Sequence, residues 1–130
     1  MNPAVRYFSR TGNTKLVAEA IAKAVQTTAV SVDAPDAKLD KPVDVLFIGG
    51  ALYAYGIDSH LKEYLASLQK ADVKKAVVFS TSWLSKHAID LIKKGLKDAG
   101  IPVADEFFYV KNKPSAAQLR EADAFAQKYV

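Results

Sequence analysis

Short apolar runs alternate with segments of helical periodicity along almost the whole chain. That alternation limits the possible folds more than any other feature. "AVRYF" (4–8) reads as a strand. "TKLVAEAIAKAV" (14–25) follows with Leu16, Val17, Ala20, Ile21, Ala24 and Val25 at spacings of three and four, the mark of a helix with one buried face. "AVSV" (29–32) is a short strand, and "DAPDAKLDKP" (33–42), with two prolines and three acids, is a connection. "VDVLFIGG" (43–50) is the most apolar strand, and "ALYAYGID" (51–58) a loop. A helix is predicted over 59–68, a strand over 75–80, a loop over 81–86 and a helix over 88–100 that stops at Gly100 before Pro102. A last strand lies within 103–110. A terminal helix over 115–129 opens with a Ser115-x-x-Gln118 capping box. The order is β-α-β-β-α-β-α-β-α. Near-continuous apolar strands alternating with helices predict a parallel sheet covered by helices, with ligands bound beyond the carboxyl ends of the strands. Three loops are expected to meet there: 9–14, 49–58 and 80–86.

At 130 residues the chain suits a single domain, 1–130, with one core. It carries 18 Lys plus Arg against 14 Asp plus Glu, a net charge of +4 that favours acidic partners without naming one. No basic tract is interleaved with aromatics, so nucleic acid is not an expected partner. The absence of Cys removes disulfides, thiolate catalysis and Cys-based metal sites, and with them a phosphatase built on a Cys nucleophile. No segment is apolar enough to span a bilayer and the N-terminus has no charged leader, so the expectation is a cytoplasmic protein, a monomer or weak dimer.

"YFSRTGNT" (7–14) holds the densest chemistry. It gathers Ser9, Thr11, Gly12, Asn13 and Thr14 with no acid. Turns use these residues to cap helices and to tolerate unusual backbone angles. Here the turn also joins the first strand to a helix. Backbone N–H groups and the positive end of the helix dipole therefore face it, and three hydroxyls add donors. The acceptor-rich group that fits is a phosphate. Neither Gly-x4-Gly-Lys nor Gly-x-Gly-x-x-Gly is present, so neutral hydrogen bonds are expected to hold it, with Arg10 and Lys15 as optional charges.

"SRTGNT" after a strand resembles the Ser/Thr-x-Thr-Gly-x-Thr phosphate loop of the flavodoxins, which cradles the phosphate of FMN. The resemblance runs nearly end to end: "FIGGALYAYGID" and "VVFSTSW" stand where that family carries its second and third flavin loops. It implies a flavodoxin-like α/β three-layer sandwich, a five-stranded parallel sheet of order 2-1-3-4-5. Here the crossover between strands 2 and 3 is reduced. It further implies FMN held at the phosphate by Ser9, Thr11, Asn13 and Thr14 and by backbone N–H groups from Arg10 through Gly12 to Lys15. The flavin ring would lie between the second loop (Ala51, Leu52, Tyr53, Ala54, Tyr55, Gly56) and the third (Ser80, Thr81, Ser82, Trp83). Tyr53 and Trp83 are the residues to stack on it, with Tyr55 as second choice. Ser80, Thr81 and Ser82 face the ribityl chain or ring edge. In the family a peptide of the second loop flips toward flavin N5. Here that peptide is Ala54-Tyr55 or Tyr55-Gly56, and Gly56 tolerates the positive φ required. No catalytic residue and no metal are implied, and His60 and His87 read as solvated helix-start residues.

The function implied is electron transport between redox partner proteins. A flavin-dependent quinone or porphyrinogen reductase of the same superfamily and a domain that binds no flavin and serves only in interactions remain open alternatives. A signalling receiver domain would need acids after the first strand and at the end of the third, and "VRYFSRTG" and "LFIGG" offer none. One further expectation concerns Arg6, a charge inside the first strand. Residues 33–42 must cross two strand spacings, about 10 Å, and return about 17 Å along the sheet. Ten extended residues reach about 33 Å, so no full helix fits. If Phe8 lies level with Ile48, Asp44 comes within one diagonal step of Arg6, and a partly buried Arg6–Asp44 ion pair is predicted beneath a thin connection.

Overall fold

A computed structural model describes residues 2–54, 56–83 and 85–130. The strands are β1 (Pro3–Tyr7), β2 (Ala29–Ser31), β3 (Val45–Gly50), β4 (Ala76–Thr81) and β5 (Val103–Val110). The helices are α1 (Asn13–Ala24), α2 (Ser59–Ser67), α3 (His87–Asp98) and α4 (Ala116–Gln127). All strand pairs are parallel, and the sheet order is β2-β1-β3-β4-β5, as the sequence implied. β3 begins two residues later than expected because Val43 pairs instead with Val73 in an isolated bridge.

Alternation along the strands divides the core between two helical layers. Val5, Phe47, Val77 and Phe79 face α1 and α4 through Val17, Ile21, Ala122 and Ala126. Ala4, Leu46, Ile48 and Val78 face α2 and α3 through Leu61, Leu65, Ile92 and Leu96. β3 and β4 are buried along their whole length, which is why they read as uninterrupted apolar runs. Ser115 caps α4 through the reciprocal box: its Oγ accepts from Gln118 N (3.1 Å) and its N–H donates to Gln118 Oε1 (2.9 Å). Among the described residues no helix is long and apolar enough to cross a membrane.

The connection after β2 is thin, as expected: one 3₁₀ turn, Pro35–Ala37, stands where a covering helix would lie. The Arg6–Asp44 pair is a correction. Arg6 is level with Ile48, two residues out of the assumed register, so Asp44 lies near the level of Asn2 at the far end of β1. Asp44 accepts from Asn2 N (2.7 Å) and pairs with Lys74 (3.4 Å). Arg6, 9% exposed, donates its Nε to the Ala37 carbonyl (2.7 Å) and its Nη1 to the Val5 carbonyl (3.0 Å).

Candidate functional site

β1, β3, β4 and β5 all end on one rim, and the loops that follow them enclose a cavity of about 540 Å³. Its walls are Ser9, Arg10, Thr11, Asn13 and Thr14 from the first loop, Ala51, Leu52, Tyr53 and Ala54 from the second, Thr81, Ser82 and Trp83 from the third, and Asn112 from a fourth after β5.

The first loop turns at Gly12, whose φ of +96° suits glycine and is strained for other residues. Its N–H donates to Ser9 Oγ (2.9 Å), and a Cβ added there would meet nothing within 4 Å. α1 therefore starts without a side-chain cap. The N–H groups of its first turn have no intrahelical acceptor and lie beside the hydroxyls. Thr14 is buried, and its Oγ1 stands 2.6 Å from Thr81 Oγ1, tying the first loop to the end of β4.

In the second loop Tyr53 and Gly56 exchange both backbone bonds (2.7 and 3.0 Å), and Gly56 has a φ of +115°. Tyr55 lies outside the described residues. The Arg10 guanidinium sits 3.9 Å above the Tyr53 ring and donates from Nη2 (2.7 Å) and Nε (3.2 Å) to Asp58 Oδ2. Asp58 is buried and caps α2, its Oδ1 accepting from His60 N (2.8 Å), with His60 Nδ1 also 2.8 Å away. Burial pushes the Asp58 carboxyl upward, but hydrogen bonds from Arg10 and His60 outweigh it and hold it below its ordinary value. His60 is thus an Asp58 partner, stacked on Phe8 at 5.1 Å between ring centroids, while His87 lies 3.7 Å from Asp90 at the start of α3. In the third loop Trp83 is 68% exposed, with Lys111 Nζ 5.7 Å from its ring.

The structure thus gathers most of the residues singled out from sequence. Ser80 stands apart from the cavity: it is fully buried, and its hydroxyl donates to the Gly50 carbonyl (2.7 Å), joining β4 to β3. Gly12 and Gly56 shape their loops rather than line the wall. Asn112 is the lining residue that sequence reasoning missed. Its φ of +66° and its Oδ1, 3.5 Å from Asn13 Nδ2, place it against the first loop. An Asn before Lys-Pro at a strand end was the available signal. The sequence marks Arg10 as an optional phosphate charge, and the structure engages it with Asp58.

The donor set suits a phosphorylated aromatic ligand. Ser, Thr and Asn side chains surround a helix N-terminus at one end, and flat aromatic faces stand at the other. The volume is in the range of small-molecule cofactor sites.

Comparison with known proteins agrees. The putative diflavin flavoprotein A 2 of Thermosynechococcus vestitus is 27% identical over 137 aligned positions, which cover 97% of this chain and 24% of that protein. The chain thus spans about a quarter of the length of the curated relative it matches. Among solved structures, a flavodoxin from the domain Archaea superposes with a TM-score of 0.79 at 24% identity, covering 99% of this chain and 96% of that one. Rubredoxin:oxygen oxidoreductase of Desulfovibrio gigas gives 0.83 at 15% identity, covering 98% of this chain and 34% of that one. The flavodoxin domain family matches residues 4–125, nearly the whole chain. The chain therefore belongs to the flavodoxin family, and FMN is the cofactor that comes with that membership.

Proposed function

We infer that the 130 residues act as one FMN-binding domain that passes electrons between redox partners. One observation carries this: the hydroxyl-lined turn at the start of α1 opens onto a cavity whose far walls hold Tyr53 and Trp83. Ser9, Thr11, Asn13 and Thr14 hold the phosphate by neutral hydrogen bonds, helped by the first N–H groups of α1 and its dipole. Tyr53 and Trp83 cover the flavin ring, and Arg10, held by Asp58, braces Tyr53. Ala51, Leu52 and Ala54 shield it from water, while Thr81, Ser82 and Asn112 face the ribityl chain or the ring edge. The positive φ at Gly56 supports a turn that can reorient its preceding peptide. Bound FMN supplies one- and two-electron redox chemistry; the protein sets its orientation and surroundings.

The exposure of Trp83 favours a carrier over a reductase, because a stacked ring beside an exposed indole keeps an edge open to another protein. The domain can stand alone or form one unit of a longer flavoprotein. Its site is read the same way in either setting. The test is titration of the FMN-free protein with FMN and with riboflavin. Thr11→Ala combined with Thr14→Ala removes two bonds worth roughly 0.5–1.5 kcal/mol each, a loss of roughly five- to a hundredfold for FMN, with riboflavin unaffected. Equal loss for both ligands would overturn the phosphate assignment. Oxidation of NAD(P)H by quinones with the protein alone would replace the carrier with the reductase.

A further inference from the structure

We propose that the rim of this cavity is a docking surface for an acidic redox protein, one whose own redox centre is ringed by carboxylates. The purpose of such a surface rests on the flavin reading, but its charges belong to the chain itself. The four loops at the carboxyl ends of the strands, taken with the first residues of α1 and α3 (8–15, 51–58, 82–87 and 111–115), carry Arg10, Lys15, Lys86, Lys111 and Lys113, with His87 beside them. Their only acid is Asp58. Taking these from the 18 basic and 14 acidic residues leaves equal numbers elsewhere, so this end of the molecule accounts for the whole net charge of +4.

Asp58, buried and bonded to Arg10 and His60, offsets Arg10 alone and leaves the four lysines uncompensated. Lys15, Lys86, Lys111 and Lys113 are exposed, and among the described residues none has a carboxylate within ion-pair distance. Three lysines elsewhere do have such a partner: Lys74 with Asp44, Lys94 with Asp98, Lys128 with Glu106. The third of these loops carries Trp83, the most exposed large hydrophobic side chain among the described residues. Lys111 Nζ lies 5.7 Å from its ring, and Lys86 Nζ 5.5 Å from the Tyr109 ring beside it. An exposed aromatic anchor on an edge whose loops carry an excess of positive charge suits a partner of opposite charge. Such an excess raises the rate of encounter and orients it, and salt weakens it.

Cytochrome c, a basic haem protein, and its fully succinylated form, which is acidic, make a matched pair of probes. The readout is NMR of the Trp83 indole N–H, unambiguous because the chain has one Trp. Each ferrous form is titrated into FMN-free and FMN-loaded protein. The succinylated form is expected to shift Trp83 and the amides of 111–113, with affinity falling at least tenfold between about 20 and 200 mM salt; the native form should leave them in place. Lys86→Glu with Lys111→Glu and Lys113→Glu should reverse the preference. The corresponding Gln variant, which adds no repulsion and guards against misfolding, should bind neither form. Shifts with native cytochrome c, shifts mapping to another face, or no shifts at all would overturn the proposal. So would tighter binding of a single-stranded oligonucleotide at the same residues, or Trp83 shifts that follow the protein's own concentration. Failure to bind FMN would refute the cofactor reading alone, since the shifts in FMN-free protein would persist.

Discussion

Replacing Asp58 separates two things that one carboxylate does. Its Oδ1 accepts from the His60 backbone N–H and caps α2, while its Oδ2 accepts twice from Arg10. The cap contributes about 1 kcal/mol. The Arg10 side chain is 43% exposed, so its pair with Asp58 is scaled toward surface ion pairs, about 0.5–1 kcal/mol. Asp58→Ala loses both and should cost about 2 kcal/mol. Asp58→Asn has one acceptor oxygen. If that oxygen keeps the cap, its NH2 must face the Arg10 donors, so the Asn variant should cost about 1 kcal/mol. Urea unfolding of the FMN-free proteins measures both without ligand linkage. The dependence on pH adds a second check. The folded carboxyl is held below its ordinary value, so the unfolded state binds the proton more readily. The stabilisation is present above the unfolded value of about 3.9 and is lost as pH falls through the folded one. The gap between wild type and Asp58→Asn should therefore be full at neutral pH and close in acid. Curves that coincide at neutral pH, or a gap unchanged in acid, would refute the argument.

Three further outcomes are expected. FMN should quench the emission of Trp83, and Trp83→Ala should weaken FMN while changing stability by less than about 0.5 kcal/mol, since the side chain is largely exposed; unchanged emission on FMN titration would place Trp83 away from the ring. Gly49→Ala would set a Cβ 2.4 Å from the Phe79 ring and 2.5 Å from the Phe79 carbonyl oxygen, and overpacking against backbone should destabilise by at least about 2 kcal/mol in urea melts. Burial first, then the hydrogen bond to Glu106 and its charge, raise the Tyr129 phenol to about 12; near-ultraviolet titration should lose that transition in Tyr129→Phe, and an unchanged curve would reject the assignment.

The first loop was legible because its signal is local: hydroxyls, a glycine and no acid between a strand and a helix. The second and third loops were legible through topology, since a parallel sheet brings the carboxyl ends of its strands to one edge. Asn112 escaped because only three loops were assigned to that edge, although β5 ends there too. The Arg10–Asp58 bond joins residues 48 apart, and no local pattern announces such a pair. Read locally, Arg10 is a cation in a hydroxyl-rich turn and Asp58 a polar residue before a helix. Only the fold shows that the helix cap also holds the arginine that braces Tyr53.

Arg6 shows the same boundary from the other side. The face it occupies follows from the period of two, and it was read correctly. The register follows from where β3 begins, and the run 43–50 is apolar enough to hide that start. A slip of two residues keeps every side chain on its face. It also carries Asp44 four residues along β1 from Arg6, about 13 Å at strand spacing. The guanidinium is then buried, none of the ion pairs among the described residues includes it, and neutral acceptors must satisfy it. The short connection supplies one. A helix over 33–42 would have committed its carbonyls to its own turns, whereas a single 3₁₀ turn leaves the Ala37 carbonyl free to accept from Arg6 and from the Tyr64 hydroxyl, each at 2.7 Å. The arginine and the missing helix therefore explain each other. The charge needs an inward-facing carbonyl over β1, and only a crossover too short for a helix presents one there.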